Sequence, residues 1–509
     1  MALSGSSQAG RLATRLQGGG VLGMVLLSLG VAGVFHPVWQ ADFVNWDDDF
    51  HVIENRKVQD PGAVGLREWL LTPELGYPVP VTMASYALER WLHGPSPEGF
   101  HGGNLLLHLL HLWLLWGIAR RLGVGEGWAL VGAAWFGLHP VVVEPVAWVS
   151  GRKDLLAATF LLVAGWWLAG LRQRGDDRVG PRWGIAGLLV LAMLAKPVAA
   201  LGPAVAWTLD SRGRRGPWPV AMVATLGLAG LAFVLEARVG ALEGGGASGG
   251  ALVRVLAGAA WHGRNLLFPM DLMPKYLDPP EGPGLPMLAG GAVLVLGGLG
   301  LLVLAFRRCP RAIPGLALAV ATYGPVAGVV PLSRQYADSY LYLPLAGLAL
   351  AVAAGGSRLS RGIDSQPLRK VLVVAGLGLA LLAGIRSADQ VDIWQDGVHL
   401  WATVWQRYPD SPQVCRNLGN AHLFGRRYEP GKAAAVYRHC IDRLGQREFF
   451  LKNLAIATAL AGDLEAARPL VQEALQARPD DPVLRRWAER LGRVETPSLG
   501  REVPEPVGP

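Results

Sequence analysis

Residues 154–171 read DLLAATFLLVAGWWLAGL, an apolar run with a single charge at its first position. An α-helix needs about 20 apolar residues to cross the hydrocarbon core of a bilayer, so this run predicts a membrane span. Similar runs lie near residues 21–39, 101–119, 126–143, 183–209, 217–236, 286–306, 312–332, 340–356 and 370–386. The sequence therefore predicts an all-α chain with a polytopic helical membrane domain of about eleven spans.

Composition supports the membrane assignment. Of the 509 residues, 51% are hydrophobic and only 17% are charged, which leaves little polar surface for a soluble globule of this length. The net charge of +8 comes from short basic clusters between the apolar runs, as in cytoplasmic membrane loops. We therefore expect membrane lipid as a partner, and no nucleic acid.

The basic clusters also predict the orientation. They are Arg120 with Arg121, and residues 172–182, 212–215, 307–311 and 358–370. With all of them on the cytoplasmic side, residues 1–20 are cytoplasmic and 21–388 form the transmembrane domain. Loop 40–100, loop 144–153, segment 237–285, loop 334–339 and everything after 387 then lie on the outer side of a cell inner membrane. The run at 21–39 is expected to be an uncleaved anchor.

Two apolar stretches depart from simple spans. The run at 183–209 has arginines at both ends and Lys196-Pro197 in its middle, which predicts two short helices that run to the far face of the membrane and back, in place of one span. Residues 251–268 contain Arg254, His262 and Arg264, so they are expected to form an interfacial helix after a flexible glycine-rich turn at 244–250.

A repeat follows the membrane domain. The sequence QRYPDSP at 406–412 recurs as QARPDDP at 476–482, an offset of two periods of about 35 residues. This period, with small residues inside the predicted helices, is typical of tetratricopeptide repeats. Residues 389–494 are therefore predicted to form a helical solenoid of two full units and a partial one from about 395 to 411. The proline-rich residues 495–509 are expected to be a disordered tail.

Three cysteines encode neither a disulfide framework nor a cysteine-based metal site. Cys309 lies in a basic loop, and Cys415 and Cys440 lie in the repeats. A disulfide across an antiparallel helix pair is compatible with the last two, but the sequence favours two separately buried thiols.

Three adjacent carboxylates, Asp47, Asp48 and Asp49, follow the first apolar run. One interpretation is that they only solvate the loop. A cation site is a second, although the oxygen-ligand spacing of a calcium loop is absent. The third is a catalytic base held at the edge of the bilayer.

A set of motifs in a fixed order resembles one family. They are NWDDD at 45–49 with Ile53 and Asn55, GFH at 99–101 with NLLLH at 104–108, HPVVVEPVAWVSGRKDLL at 139–156, AKP at 195–197, ADSYLYLP at 337–344 and WQD at 394–396. With the terminal repeats, the chain resembles bacterial relatives of the transmembrane and tetratricopeptide repeat-containing O-mannosyltransferases. These are GT-C glycosyltransferases that use polyprenyl-phosphate sugars.

The resemblance implies an activity and a catalytic pair. It implies inverting transfer of mannose or another hexose from a polyprenyl phosphate to a Ser or Thr hydroxyl of an acceptor protein, without a tightly bound cofactor. The role of a divalent metal stays open. The catalytic pair maps onto Asp48 and Asp49, beside Asp47. One carboxylate would accept the hydroxyl proton, and its neighbour would bind the acceptor or strengthen the base by like-charge repulsion.

The departing lipid phosphate needs positive charge near the membrane surface. The candidates for this role are Arg152, Lys153, Arg334, Arg264 and His139. The residues expected to position substrate are Glu144, His101, Lys196 and Tyr340. Where the family often has an arginine this chain has Ser339, for which Arg334 is a possible substitute.

Two other classes of protein compete with the enzyme. In one, the membrane part is an inactive anchor and the repeats bind outer-face protein partners as a scaffold. A transporter would instead place ionisable residues at mid-bilayer, whereas the acidic residues here cluster at the ends of the spans. In the enzyme, the repeats would hold the acceptor protein beside the carboxylates.

Overall fold

The computed structural model describes residues 5–210, 216–238, 250–277, 282–332 and 334–493. Helices are the regular structure in these ranges, with one isolated antiparallel bridge between Glu74 and Tyr77. The chain forms two compact units. The first contains residues up to 40 together with 50–392, and the second contains residues 41–49 together with the chain from 393 onward.

Sixteen α-helices in the described residues belong to the first unit. They are α1 Gly5–Val34, α2 Arg56–Gln59, α3 Leu66–Leu71, α4 Pro80–His93, α5 Pro97–Arg121, α6 Glu126–Leu138, α7 Val143–Ala147, α8 Arg152–Arg174, α9 Gly180–Ala195, α10 Gly202–Leu209, α11 Trp218–Arg238, α12 Ala251–Leu267, α13 Leu285–Arg308, α14 Ile313–Tyr323, α15 Tyr342–Arg361 and α16 Gln366–Val391. The second unit has α17 Gly397–Arg407, α18 Pro412–Phe424, α19 Pro430–Leu444, α20 Arg447–Leu460, α21 Leu464–Ala477 and α22 Pro482–Arg493.

The membrane-spanning helices make the chain a multi-pass membrane protein. Among the described residues, six helices are long and apolar enough to cross a bilayer: α5, α8, α11, α13, α15 and α16. A seventh span results if α6 and the helix Pro140–Ala147, bent by 55° from it, count as one. The protein covers most of α8 and α15 but little of α11, α13 and α16, whose apolar faces are left for lipid.

The predicted number of about eleven spans is not established. Two shorter apolar helices, Gly180–Ala195 and Pro197–Trp207, fall below the length of a full span. The apolar stretch Gly19–Val34 is the last part of the 30-residue helix α1. The run at 312–332 gives only the 11-residue α14, because Gly324-Pro325 ends the helix.

The first helix differs from its predicted bounds. It begins at Gly5, well before the predicted start near residue 21, although glycine is the most frequent residue in 5–20. It ends at Val34, before Pro37, and a 3-10 turn at His36–Gln40 follows. Most of the segment 1–20 is therefore helical.

The predicted pair of short helices at 183–209 is confirmed. α9 ends at Ala195, and Pro197 starts a 3-10 turn that leads into α10. Arg182, near the start of α9, pairs with Asp210, just past the end of α10, at 2.6 Å between Nε and Oδ2. Because the start of α9 and the end of α10 meet, the chain enters and leaves this helix pair on the same side.

The predicted interfacial segment is helical over Ala251–Leu267. Some sequence predictions fall outside the described residues: the glycine-rich turn up to Gly249, the basic cluster at 212–215 and the tail at 495–509.

From residue 397 to 493, the second unit has six consecutive α-helices that each pack on the next. α18, α20 and α22 begin at residues 412, 447 and 482, so the structure repeats every 35 residues. A Cβ on Gly419 would lie 2.3 Å from the Tyr437 ring, which shows why a glycine is needed where α18 crosses α19. The assignment of these pairs as tetratricopeptide units stays a prediction.

The prediction of two separate thiols in this unit is wrong. Cys415 of α18 and Cys440 of α19 form a disulfide, with their Cα atoms 6.2 Å apart. The close packing of the two helices brings both cysteines within bridging distance, a tertiary effect that their separation in sequence does not reveal. Cys309 is a free, half-buried cysteine.

Candidate functional site

The three carboxylates lie in a segment, residues 41–49, that belongs to the second unit; we call it the acidic segment. The backbone N–H of Asp42 donates to the carbonyl oxygen of Gln395 at 2.8 Å. The side-chain amide of Asn45 donates to the carbonyl oxygen of Asn417 at 2.9 Å. The acidic segment is thus bonded to the start of the repeats at two points.

Trp46 supplies an aromatic anchor for the acidic segment. Its ring is parallel to that of Trp394, with centroids 6.5 Å apart, and it tilts against Trp401 at 5.5 Å. Trp394 and Trp401 are both buried. Aromatic pairs at these separations add stability beyond the area they bury, so Trp46 fixes the carboxylates next to it in the chain.

The carboxylates differ in their surroundings. Asp48 is fully buried, and its Oδ2 accepts the backbone N–H of Val44 at 3.0 Å. Asp47 and Asp49 are half-buried, and Asp49 starts a single π-helical turn, Asp49–Ile53. The Asp48 side chain therefore stabilises the turn that carries Asp47 and Asp49.

Arg152, at the start of α8, is engaged within the protein. Its guanidinium contacts both oxygens of Glu89 at 2.8 and 2.9 Å, donates to the carbonyl oxygen of Phe100 at 2.8 Å and bonds to Asn104. The side chain is buried and ties α8 to α4 and α5. This geometry is that of a structural ion pair, and it argues against the predicted role of Arg152 on a donor phosphate.

Lys153, the next residue, lies in a different environment. It is half-buried, and its Nζ is 5.2 Å from the centroid of the Trp148 ring. The buried His51 contacts Ser150 at 3.0 Å between Nδ1 and Oγ, beside the same turn. Burial, and next the charge of Lys153, lower the pKa of His51 well below 6.5, so that His51 is neutral at pH 7. Sequence reasoning missed His51; its place directly after the acidic segment was the available signal.

Glu144 and Arg334 form an ion pair. Arg334 Nη1 lies 3.0 Å from Glu144 Oε1, and its Nη2 donates to the carbonyl oxygen of Pro274 at 2.7 Å. The backbone N–H of Ser339 donates to the other oxygen of Glu144 at 3.4 Å. Position 339 thus contacts the carboxylate through its backbone, while Arg334 supplies the positive charge.

A second carboxylate lies close by and was not predicted as a site residue. Asp338 accepts hydrogen bonds from Asn265 Nδ2 and from the Tyr276 hydroxyl, each at 2.9 Å. Burial, and next the Asp338 charge, raise the pKa of Tyr276 well above 10, so the phenol keeps the proton that it donates. Nothing in the sequence links Tyr276 to Asp338, which is 62 residues away.

Lys196 and Tyr340 connect to this region. Lys196 Nζ pairs with Asp154 Oδ1 at 2.6 Å, both side chains being buried. Lys196 also lies 5.6 Å from the centroid of the Tyr340 ring, and the Tyr340 hydroxyl donates to the carbonyl oxygen of Arg334 at 2.9 Å. The structure therefore brings together Glu144, Lys196, Arg334 and Tyr340 of the predicted set.

The remaining predicted residues lie apart from this group or serve the fold. His139 uses both ring nitrogens: Nε2 donates to the carbonyl oxygen of Leu266 at 3.0 Å, and Nδ1 accepts the N–H of Val141 at 3.3 Å. Arg264 is an exposed side chain paired with Asp271. His101 is buried within α5. Through the described part of the chain, no group of three His, Cys, Asp or Glu side chains is arranged to hold a metal ion.

Comparisons with known proteins give a partial match to one family. No protein-family model matches the chain. It is 37% identical over 86 residues to "Protein O-mannosyl-transferase TMTC1" of Mus musculus, which covers 17% of this chain and 9% of that protein. It is 31% identical over 149 residues to "Protein O-mannosyl-transferase TMTC4" of Homo sapiens, which covers 25% and 20%. The matches thus span about a tenth to a fifth of the curated relatives, and the chain is a partial sequence relative of these proteins.

Solved structures show weaker likenesses. One is ArnT from Cupriavidus metallidurans bound to undecaprenyl phosphate, at 16% identity and a TM-score of 0.39, covering 90% of this chain and 80% of ArnT. Another is the Archaeoglobus fulgidus oligosaccharyltransferase tethered with an acceptor peptide, at 11% identity and a TM-score of 0.41, covering 81% and 59%. Likeness at this level is too weak to assign a common fold.

Proposed function

We propose that this protein is an inverting glycosyltransferase that moves mannose or another hexose from a polyprenyl phosphate to a Ser or Thr hydroxyl of an acceptor protein. The observation that supports this best is that the acidic segment and the helical repeats belong to one compact unit. An acceptor bound to the repeats would be near the carboxylates. The partial match to the O-mannosyltransferases supports the same reaction class.

The proposed chemistry needs one base and no acid. A carboxylate of the acidic segment takes the proton of the acceptor hydroxyl while the oxygen attacks the anomeric carbon on the face opposite the phosphate. The bond between that carbon and the phosphate oxygen breaks, and polyprenyl phosphate leaves as an anion that needs no protonation. We assign the base to Asp49, because Asp48 is buried and bonded to Val44. Asp48 and Asp47 would hold the segment and the acceptor.

Lys153 and Arg334 are the proposed partners of the donor phosphate. Lys153 lies at the start of α8, and the Arg334 side chain is 19% exposed beside Glu144. Lys153 lies at the end of an apolar helix, and Arg334 lies in the segment that precedes α15; a lipid phosphate would lie at this level of the membrane. Glu144, Lys196 and Tyr340 would fix the orientation of Arg334. A divalent metal is neither required by this scheme nor part of the proposal.

We place the reaction on the outer face of a cell inner membrane, with the repeats in the periplasm. The basic clusters between the apolar helices support this orientation. The disulfide of Cys415 and Cys440 supports it too, since disulfides persist in oxidising compartments.

The test uses the full-length protein in nanodiscs, a polyprenyl-phosphate hexose and a Ser/Thr-containing peptide. Asp48→Asn combined with Asp49→Asn should lower transfer about 100-fold or more, the size of a general-base contribution. Asp60→Asn, at an exposed carboxylate after α2, is the matched control and should leave the rate unchanged.

Two results would contradict the proposal. Full activity in the double variant would move the base elsewhere in the chain. No transfer by the wild type with any of several sugar donors would favour the alternative, an inactive membrane-anchored repeat scaffold.

A further inference from the structure

An apolar cleft lies between α5, α8, α9, α10, α14 and α15 of the first unit, and its empty volume, counted together with the open space at its mouth, is about 700 Å³. Aliphatic side chains and glycines such as Leu161, Gly165 and Leu318 form its walls. Arg172 is the one charged side chain among the described residues that line it. A space walled by hydrocarbon inside a bundle of membrane helices suits a hydrocarbon chain and disfavours water.

The end of the cleft that carries Arg172 is strongly basic. Leu122 lines the cleft, and two more arginines converge on the next residue, Gly123. Arg361 Nη2 donates to the carbonyl oxygen of Gly123 at 3.2 Å. Arg311 lies close to the same residue: its Nε would be 3.4 Å from the Cβ of a residue with a side chain at position 123. Three guanidinium groups from three parts of the chain therefore lie at or beside this end.

These arginines have no internal counter-ion in the part of the chain that the structure describes. There, no carboxylate lies within 4.0 Å of the guanidinium of Arg172, Arg311 or Arg361. Two nearby acids have other partners: Asp176 pairs with Arg178, and Asp210 pairs with Arg182. A phosphate oxygen would satisfy the arginines by charge-assisted hydrogen bonds.

Three tryptophans indicate the depth in the membrane at which the mouth of the cleft lies. Trp166 on α8, Trp183 on α9 and Trp207 on α10 are each between 39% and 53% exposed. Tryptophan concentrates where lipid headgroups meet the hydrocarbon core. A molecule with its chain in the cleft would thus have its headgroup level with the arginines.

We propose that this cleft binds an anionic phospholipid, with one acyl chain between the helices and the phosphate against Arg172, Arg311 and Arg361. The site is independent of the proposed sugar transfer: none of its residues belongs to the candidate functional site. Three positive charges select anionic over zwitterionic headgroups, because each arginine near the headgroup strengthens binding about fivefold.

The test measures lipid retention by the full-length protein. The protein is released from phosphatidylcholine nanodiscs containing a minor fraction of phosphatidylglycerol, and the retained lipid is counted by native mass spectrometry. Replacing Arg172, Arg311 and Arg361 together by Gln should lower phosphatidylglycerol retention about tenfold or more and leave phosphatidylcholine unchanged. Arg178→Gln is the matched control, because Arg178 is also exposed and already paired with Asp176.

A second variant tests the acyl chain and does not depend on how the triple variant folds. Gly165→Leu fills the cleft; its Cβ meets only Ile118, at an ordinary 3.7 Å. It should lower phosphatidylglycerol retention with all arginines intact. Unchanged retention in either variant overturns the proposal, and so does replacement of phosphatidylglycerol by polyprenyl phosphate when both are supplied.

Discussion

At the scale of single residues, burial and partners decide what a charged side chain does. Arg152 and Lys153 are neighbours in a motif that predicted two phosphate ligands, yet Arg152 is buried against Glu89, and Lys153 is not. The sequence predicts that basic residues lie at the end of a span. It does not predict that Glu89, 63 residues earlier, neutralises one of them, because that contact depends on how α4 packs on α8.

The Arg152 ion pair is expected to matter for stability. Arg152→Gln leaves Glu89, whose side chain is only 16% exposed, without its cation and should lower the free energy of unfolding by up to about 3–5 kcal/mol. Arg264→Gln removes an exposed ion pair with Asp271 and should change it by less than about 1 kcal/mol. Thermal or denaturant unfolding of the purified protein in detergent measures both. Equal effects of the two substitutions would show that the Arg152 pair is not the buried link described above.

His51 predicts a pH dependence with a defined sign. The fold lowers the pKa of His51 below its ordinary value of 6.5, so the unfolded chain takes up a proton that the folded chain refuses. Its contribution to stability is therefore complete above pH 6.5 and is lost as the pH falls below that value. His51→Gln should reduce the drop in melting temperature between pH 8 and pH 5.5, whereas His36→Gln, at an exposed site, should not. An identical drop in wild type and His51→Gln would contradict this account.

At the scale of elements, the sequence predicts local structure but does not predict contacts between distant residues. Lys196-Pro197 between two arginine-flanked runs predicts the returning pair α9 and α10, and the Arg182–Asp210 contact confirms it. The 35-residue period likewise appears in the helix starts of the second unit. The packing of the acidic segment on α17 and α18 joins residues more than 350 positions apart, and no pattern within either stretch encodes it.

Trp46 is expected to hold the acidic segment on the repeats. Trp46→Ala removes the contacts with Trp394 and Trp401 and should raise the amide hydrogen exchange of residues 41–49 by about tenfold. Trp46→Phe keeps an aromatic ring and should restore most of the protection. Trp91→Ala, at a site 79% exposed on α4, is the control. Unchanged exchange in Trp46→Ala would mean that the hydrogen bonds of Asp42 and Asn45 suffice.

At the scale of the whole molecule, composition predicted a membrane protein and the 35-residue repeat predicted a second helical unit, and both are present. Apolar runs locate the hydrophobic helices well, but they do not settle the number of spans, since glycine and proline shorten α14 and other apolar helices in the described residues are below full length. The chain also does not divide into its two units at a single boundary near residue 388. The acidic segment belongs to the same compact unit as the repeats and not to the membrane unit. The proposed reaction depends on this arrangement.

The most direct test of that reaction compares outer-face proteins from cells that carry the intact gene, no gene, or the gene with Asp48→Asn and Asp49→Asn. Mass spectrometry of Ser- and Thr-containing peptides should find added hexose only with the intact gene. The same hexose-modified peptides in all three strains would contradict the proposed transferase.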